Sequence, residues 1–330
     1  MKDYLKRLHT LMFDGAMNTN VTTQTGAGQD LSPEMKTYYD RVLIRNAEPK
    51  LVHDQFAQKR PIPKGSGMEI EFRRFPALAK QMTPLTEGVT PDGQKLSVTK
   101  MTAKLAQYGG YIVSSDLLEL TAIDNMLQET IKLLGSQAGR TSDTITREVL
   151  AGGLNVRYAN GKTSRNNIAA SDVLTVADVK KAVRDLKTKN AEKINGYYVA
   201  IVHPDAVYDL QNDEEWISAS KYAGSEQIFN GEVGKLYGVR FVETTEAKIW
   251  DVSGVSVYGT LFLGSDAYGV TTLAGRGIET IIKQKGSAGT ADPLNQRSSV
   301  GWKLLKTAKI LVDEYMVRLE HGATLSSAAN

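Results

Sequence analysis

The chain has 330 residues, 41% of them hydrophobic and 23% charged, with a formal net charge of +3. That is enough material for one large or two medium domains with cores of their own, and too mild a charge for a dedicated nucleic-acid binder. The absence of cysteine excludes disulfides, thiolate chemistry and cysteine-ligated metals, and no apolar run approaches the roughly 20 residues that span a bilayer.

The first segment, MKDYLKRLHTLMF, has basic residues but no continuous apolar stretch, so it does not read as a signal peptide. Leu5, Leu8 and Met12 fall at helical spacing, which fits either a short helix docked on a partner or a half-ordered tail. Residues 14–32 are dominated by Gly, Asn, Thr and Ser and read as an extended arm. Ser32 and Pro33 then open a helix that places Met35, Tyr38, Tyr39, Val42 and Leu43 on one side, with Pro49 kinking or restarting it.

Two strand-like stretches follow, MEIEFRRFPALAKQM and LSVTKMTAKLAQYGGYIV, around the turn-rich PLTEGVTPDGQK. Ile70 and Phe72 alternate with polar residues. On the return, Leu96 and Val98 are out of phase with Met101, Ala103 and Leu105, a one-residue slip that predicts a bulge or bend near Lys100. The pattern predicts a ribbon with strands of ~15 residues reaching on the order of 50 Å. It is too polar to build its own core, and a lone ribbon of that kind is only marginally stable in water. Pro91, Asp92 and Gly93 read as the tip reversal. Arg73, Arg74, Glu87, Asp92 and Lys95 are the candidate contact residues, expected to meet opposite charges on a neighbouring molecule.

Asp116 and Glu119 stand at capping-box spacing before a helix with Leu120, Ile123, Leu127, Ile131 and Leu134 recurring at three and four residues. If unbroken to Gly152, it is a spine of ~35 residues and about 50 Å. The second half changes character. Thr175 caps VADVKKAVRDLKTK, GYYVAIVHP is a short apolar strand, Pro204 opens a helix, and LYGVRFVETT and GTLFLGSDAYGVTTL contain strands. The end, VGWKLLKTAKILVDEYMVRLEHGA, holds two strand-like pieces and a solvent-facing tail. The fold class is α+β.

No constellation for catalysis emerges. Gly161-Lys162-Thr163 ends like a phosphate loop, but Val156 stands where its first glycine belongs, and it reads as a solvated loop. Gly26 and Gly28 are followed by Leu31 where a dinucleotide loop needs glycine. There is no G-x-S-x-G elbow. His9, His53, His203 and His321 do not pair at metal-binding spacing. His203 reads as a helix-start residue, and Asp213, Glu214 and Glu215 beside Trp216 as an exposed helix end. No catalytic residue, cofactor or metal is expected.

Polar arm, projecting ribbon, spine helix and α+β lobe, in that order, resemble the major capsid proteins of tailed bacteriophages, the Johnson fold. The stretches LSPEMKTYYDRVLIRNAEPKLVHDQF, PIPKGSGMEIEFRRF, PLTEGVTPDGQKLSVTKMTAKLAQYGGYIV and SSDLLELTAIDNMLQETIKLLGSQAG look like the N-terminal half of the large family related to the coat protein of phage N-four. HPDAVYDL, GEVGKLYGVRFVET and GTLFLGSDAYGV look like its second half, and LTEGVTPDG is the most specific part. The resemblance covers roughly residues 20 to 320. It implies an N-terminal arm and helix over 1–60 and an extension loop over 61–113 that lies on an adjacent subunit. It also implies a peripheral domain from 114–165 plus 298–330 and an axial domain over 166–297.

The implied function is an icosahedral shell of pentamers and hexamers around double-stranded DNA, located in the virion and assembled in the bacterial cytoplasm. The implied partners are further copies of the chain, a portal, decoration proteins, DNA held without sequence preference, and no membrane. Family-like sequence begins within ~30 residues of the N-terminus, too few for a cleaved scaffolding domain, so a separate scaffolding protein is expected. Some relatives crosslink through lysine and asparagine, and no such pair is placed here. Two other readings stay open: an encapsulin-like nanocompartment shell, and a soluble enzyme or binding module with an unusual hairpin insertion.

Overall fold

The computed structural model describes residues 19–20, 52–90, 92–121, 126–222, 234–273, 277–287 and 292–330. The helix expected at 33–56 therefore lies almost wholly outside the described residues. The chain divides into two compact units, one from Met1–Glu48, Gln107–Gly139 and Ile278–Leu304, the other from Pro49–Ala106, Arg140–Gly277 and Leu305–Asn330.

In the smaller unit the strand Ala106–Ser115 takes Thr19–Asn20 as a parallel neighbour, and Glu279–Lys283 pairs antiparallel with the first part of the strand Arg297–Ile310. Leu134 and Ala138 from the helix Met126–Ala151 pack on Val300, Trp302 and Leu304. Gly109 is required here, because a Cβ would stand 2.7 Å from the Trp302 carbonyl oxygen. The spine ends near Gly152 as its pattern predicts, but its start differs. Asp116–Thr121 is capped by Ser115, whose Oγ accepts the Leu118 N–H at 3.2 Å. The expected Asp116–Glu119 capping box does not form. The Asp116 N–H goes to the Gln296 carbonyl, and the Glu119 carboxylate instead takes Ser298 Oγ and Lys285 Nζ. Leu120, assigned by spacing to the apolar face, is exposed, and Leu118 is the buried residue. Ile123 falls in 122–125, outside the described residues.

The larger unit is built on a sheet in the order Val156–Tyr158, Met316–His321, Val255–Leu263, Tyr198–Val202, Val239–Glu243 and Lys235–Leu236, with Ile249–Val252 paired to Val255–Leu263. Successive side chains of a strand point to opposite faces, and Tyr198–Val202 uses both. Tyr198, Ala200 and Val202 pack with Phe262, Val317 and the helices Val176–Thr188 and Pro204–Gln211. Val199 and Ile201 pack on the other side with Val52, Leu150, Leu261, Leu263 and Tyr268. That explains an all-apolar run where a half-exposed strand would alternate. The stretch GTLFLGSDAYGVTTL is not a hairpin. Val255–Leu263 belongs to this sheet, whereas Tyr268–Thr272 pairs with the second half of Arg297–Ile310 and with Gln58–Lys59.

The C-terminal tail is tied down rather than free: Ser327 donates its N–H to Tyr258 Oη at 2.7 Å and its hydroxyl to Asp205 at 2.7 Å. Beneath it lies His321, fully buried, with its ring nitrogens on Thr260 Oγ1 and the Gly322 carbonyl and its face stacked on Tyr258. Burial pushes its pKa from 6.5 to about 4; the Gly322 carbonyl and the more distant Asp209 and Asp178 oppose this, and His203 adds to it. Because the folded pKa is depressed, the stability is fully present above pH 6.5 and is lost as pH falls towards 4, by about 3 kcal/mol at 1.36 kcal/mol per unit. Urea midpoints at pH 7 and pH 4.5 check this. The wild-type drop is expected to exceed that of His321→Asn, and equal drops would remove His321 from the account.

Candidate assembly surface

The ribbon exists, but it is shorter than its sequence pattern. Glu69–Arg74 pairs antiparallel with Thr99–Lys104, six residues each, with Phe72 opposite Met101 and Ile70 opposite Ala103. The strand expected to run on to Met82 stops at Arg74, because residues 75–98 have no ladder partners among the described residues. Burial changes phase as the sequence does, with Met101, Ala103 and Leu105 turned inward and Leu96 and Val98 exposed, but the bulge expected near Lys100 does not form: Arg73 pairs with Lys100 and Arg74 with Thr99 in unbroken register.

The base of the ribbon also has a core of its own, contrary to expectation. Phe72 and Ala103 pack with Leu311, Val312, Ile70, Met101 and Tyr315. Gly269 leaves the space, since a Cβ there would lie 3.1 Å from the Phe72 ring. Phe72→Ala is therefore expected to cost about 3 kcal/mol in urea unfolding, the usual loss for a buried phenylalanine. A loss below about 1 kcal/mol would show that the base is not part of the subunit's core.

Beyond Arg74 the character changes. The described residues between 75 and 98 are all exposed, and they include Phe75, Leu78, Met82 at 83%, Leu85 at 77%, Val89 and Leu96. The polarity of this stretch is plain in the sequence; that its apolar residues are left uncovered among the described residues is not. Exposed apolar side chains concentrated on one segment mark an interaction surface. The hydrogen-bonded turn lies at 86–89, where Val89 donates to the Thr86 carbonyl at 3.1 Å and Gly88 supplies the φ of +75° that the turn needs. It does not lie at Asp92-Gly93, which is irregular, and Pro91 falls outside the described residues.

The five candidate contact residues are not brought together as one cluster. Arg73 Nε donates to Glu71 Oε1 at 2.6 Å on its own strand, and Lys100 stands 3.5 Å from the same carboxylate. The Arg73 hydrogen bond and the two cations hold Glu71 below the usual carboxylate range. Arg74 is half-buried, and Glu87, Asp92 and Lys95 are exposed along the loop without ion pairs among the described residues.

Elsewhere, the residues weighed for chemistry have structural roles. Lys162 pairs with Asp172 at 3.6 Å, His203 Nδ1 accepts the Asp205 N–H at the start of Pro204–Gln211, and Asp213 accepts the backbone N–H groups of Val176 and Glu215. Among the described residues no His, Cys, Asp and Glu group is placed to hold a metal ion, and no helix is long and apolar enough to cross a membrane.

A sequence model of the phage capsid protein family matches residues 50–254. Among solved structures, the cyanophage Pam1 capsid asymmetric unit is similar with a TM-score of 0.70 at 12% identity, over 92% of this chain and 100% of that one. The capsid of Ralstonia phage GP4 is similar with a TM-score of 0.68 at 13% identity, over 93% and 100%. The head of Helicobacter pylori bacteriophage KHP40 gives 0.67 at 12% identity, over 90% and 99%. A search of curated proteins finds no match. With the family match across most of the larger unit and the same fold over nine-tenths of the chain, the protein belongs to the phage capsid protein family and is a major capsid protein of the Johnson fold, a structural subunit of the phage shell.

Proposed function

We propose that copies of this chain close into an icosahedral lattice of pentamers and hexamers around double-stranded DNA, with residues 61–113 acting as the extension loop that lies on an adjacent copy. The carrying observation is the exposed apolar segment 75–98 projecting from a ribbon whose base alone is packed. In this reading 1–60 is the arm, 114–165 with 298–330 the peripheral domain, and 166–297 the axial domain. Heterologous contacts of one surface with another close by rotation into rings, and each arm or loop adds a second attachment at high effective concentration.

Arg74, Glu87, Asp92 and Lys95 meet opposite charges on the neighbour, and Arg73 does so while sharing Glu71. Each such exposed pair contributes at most ~1 kcal/mol, so the apolar residues of the loop carry more of the contact. Assembly takes place in the host cytoplasm with a separate scaffolding protein, a portal and decoration proteins. The subunit performs no catalysis and holds no cofactor. DNA is met by weak phosphate contacts that fade with salt. Sedimentation of the purified chain, alone and with its scaffolding protein, tests the reading. Species far larger than a dimer are expected, and a compact monomer at high concentration in both preparations contradicts it.

A further inference from the structure

The larger unit carries a second unfilled surface. On the helix Val176–Thr188, Lys180, Arg184 and Lys187 are four and three residues apart and share a side. With Val183, Thr188 and Tyr237 they line an open groove of about 460 Å³. Tyr237 is held there by the backbone. It and Gly238 form the two-residue turn between Lys235–Leu236 and Val239–Glu243, with φ of +49° and +79°. Left-handed φ at both positions is what a type I′ hairpin requires, and it is an uncommon conformation for tyrosine. The ring then lies under Lys180, whose Nζ is 4.6 Å from its centroid. The floor of the groove is Val183 and the ring; the rim is cationic.

The rim already holds one carboxylate, because Glu215 of the helix Glu214–Tyr222 pairs with Lys180. The remaining cations are underused. The nearest carboxylate to Arg184 is Asp185 at 3.8 Å, which Arg157 also engages, and Lys187 has no ion pair among the described residues. A nucleic acid suits this site poorly. Glu215 and Asp185 stand beside its cations and repel phosphate, and the apolar floor offers phosphate no donor. A peptide with apolar side chains between carboxylates suits it on every count.

The chain contains such a peptide. Residues 225–232, SEQIFNGE, place Ile228 and Phe229 between Glu226 and Glu232 with no cation among them. They join the helix Glu214–Tyr222 to the strand Lys235–Leu236. We infer that segment 225–232 of one copy docks in the groove of a second copy, Ile228 and Phe229 on the floor and Glu226 and Glu232 on Arg184 and Lys187. The inference rests on the shell reading, in which each copy meets the next by rotation, so that groove and segment form one heterologous contact.

The lack of cysteine makes the test clean. Particles carrying Lys187→Cys and Glu226→Cys are treated with a short bis-maleimide and run on a denaturing gel, with each single variant as control. A ladder rising to five and six copies, seen with the double variant alone, is expected. In parallel, Arg184→Glu with Lys187→Glu is expected to lower particle yield at least tenfold while circular dichroism is unchanged, and adding Glu226→Lys with Glu232→Lys is expected to restore it. Crosslinks only within one chain, no crosslink, or a loss of yield that the compensating pair does not restore would overturn the inference. So would protection of Lys187 from acetylation in DNA-filled heads but not in empty shells, which would assign the groove to nucleic acid. Particles of the double variant with no ladder would sink this contact alone, whereas a wild-type chain that forms no particles would sink the shell reading itself.

Discussion

Asp54→Ala is expected to destabilise the larger unit by about 3 to 5 kcal/mol, the usual cost of stranding a buried charge, while Lys306→Met changes it by less than about 1.5 kcal/mol. Lys306 is 1% exposed. Its Nζ donates to Asp54 Oδ2 at 2.5 Å and to the Ser142 carbonyl and hydroxyl at 2.6 and 2.9 Å. Burial pushes the lysine pKa down, and Asp54 opposes it. Without Asp54 the ammonium keeps only the two oxygens of one serine. Without the ammonium, Asp54 still accepts from Ser142 Oγ and Thr146 Oγ1, and its side chain is one-third exposed to water. The asymmetry is the signature, and urea unfolding followed by circular dichroism reads it. Equal losses for the two variants would mean that removing Asp54 does not strand the buried ammonium.

Replacing residues 76–97 with a short glycine-containing turn is expected to leave a folded subunit and to lower the yield of closed particles by at least tenfold. The strands Glu69–Arg74 and Thr99–Lys104 and their core of Phe72, Ala103, Leu311 and Val312 survive this deletion. What is lost is the exposed apolar set from Leu78 to Leu96. At about 25 cal/mol per Å² of apolar surface buried, covering several such side chains on a neighbour outweighs the exposed charge pairs of the same loop. Circular dichroism and particle yield are measured on the same preparation. An unfolded variant would place the loop in the subunit's core, and normal shells would remove it from the lattice.

Local chemistry was legible in the sequence where neighbours in the chain are neighbours in space. Thr175 caps its helix, with its Oγ1 accepting the Asp178 N–H at 3.3 Å, and the spine stops at Gly152. The shift of phase after Lys100 marked where the ribbon turns its apolar side to the core. Strand length was not legible. Alternation continues through Leu96 and Val98, but pairing depends on a partner strand that residues 75–82 do not supply. The choice of Ser115 over Asp116 as the cap follows from the distant carbonyl of Gln296, which takes the Asp116 N–H. The Lys306 cluster was equally hidden, since it joins residues 164 and 252 positions apart in the chain. For the assembly surface, Arg73 and Glu87 drew attention as charges, while Met82 and Leu85 could be seen only once the fold left them exposed among the described residues.

Electron cryo-microscopy of purified particles at side-chain resolution shows whether the bare loop of one subunit is completed by the next. A closed shell is expected in which residues 75–98 of every copy lie on an adjacent copy with Met82 and Leu85 covered. A shell in which that segment folds back on its own subunit, or stands in solvent, would contradict it.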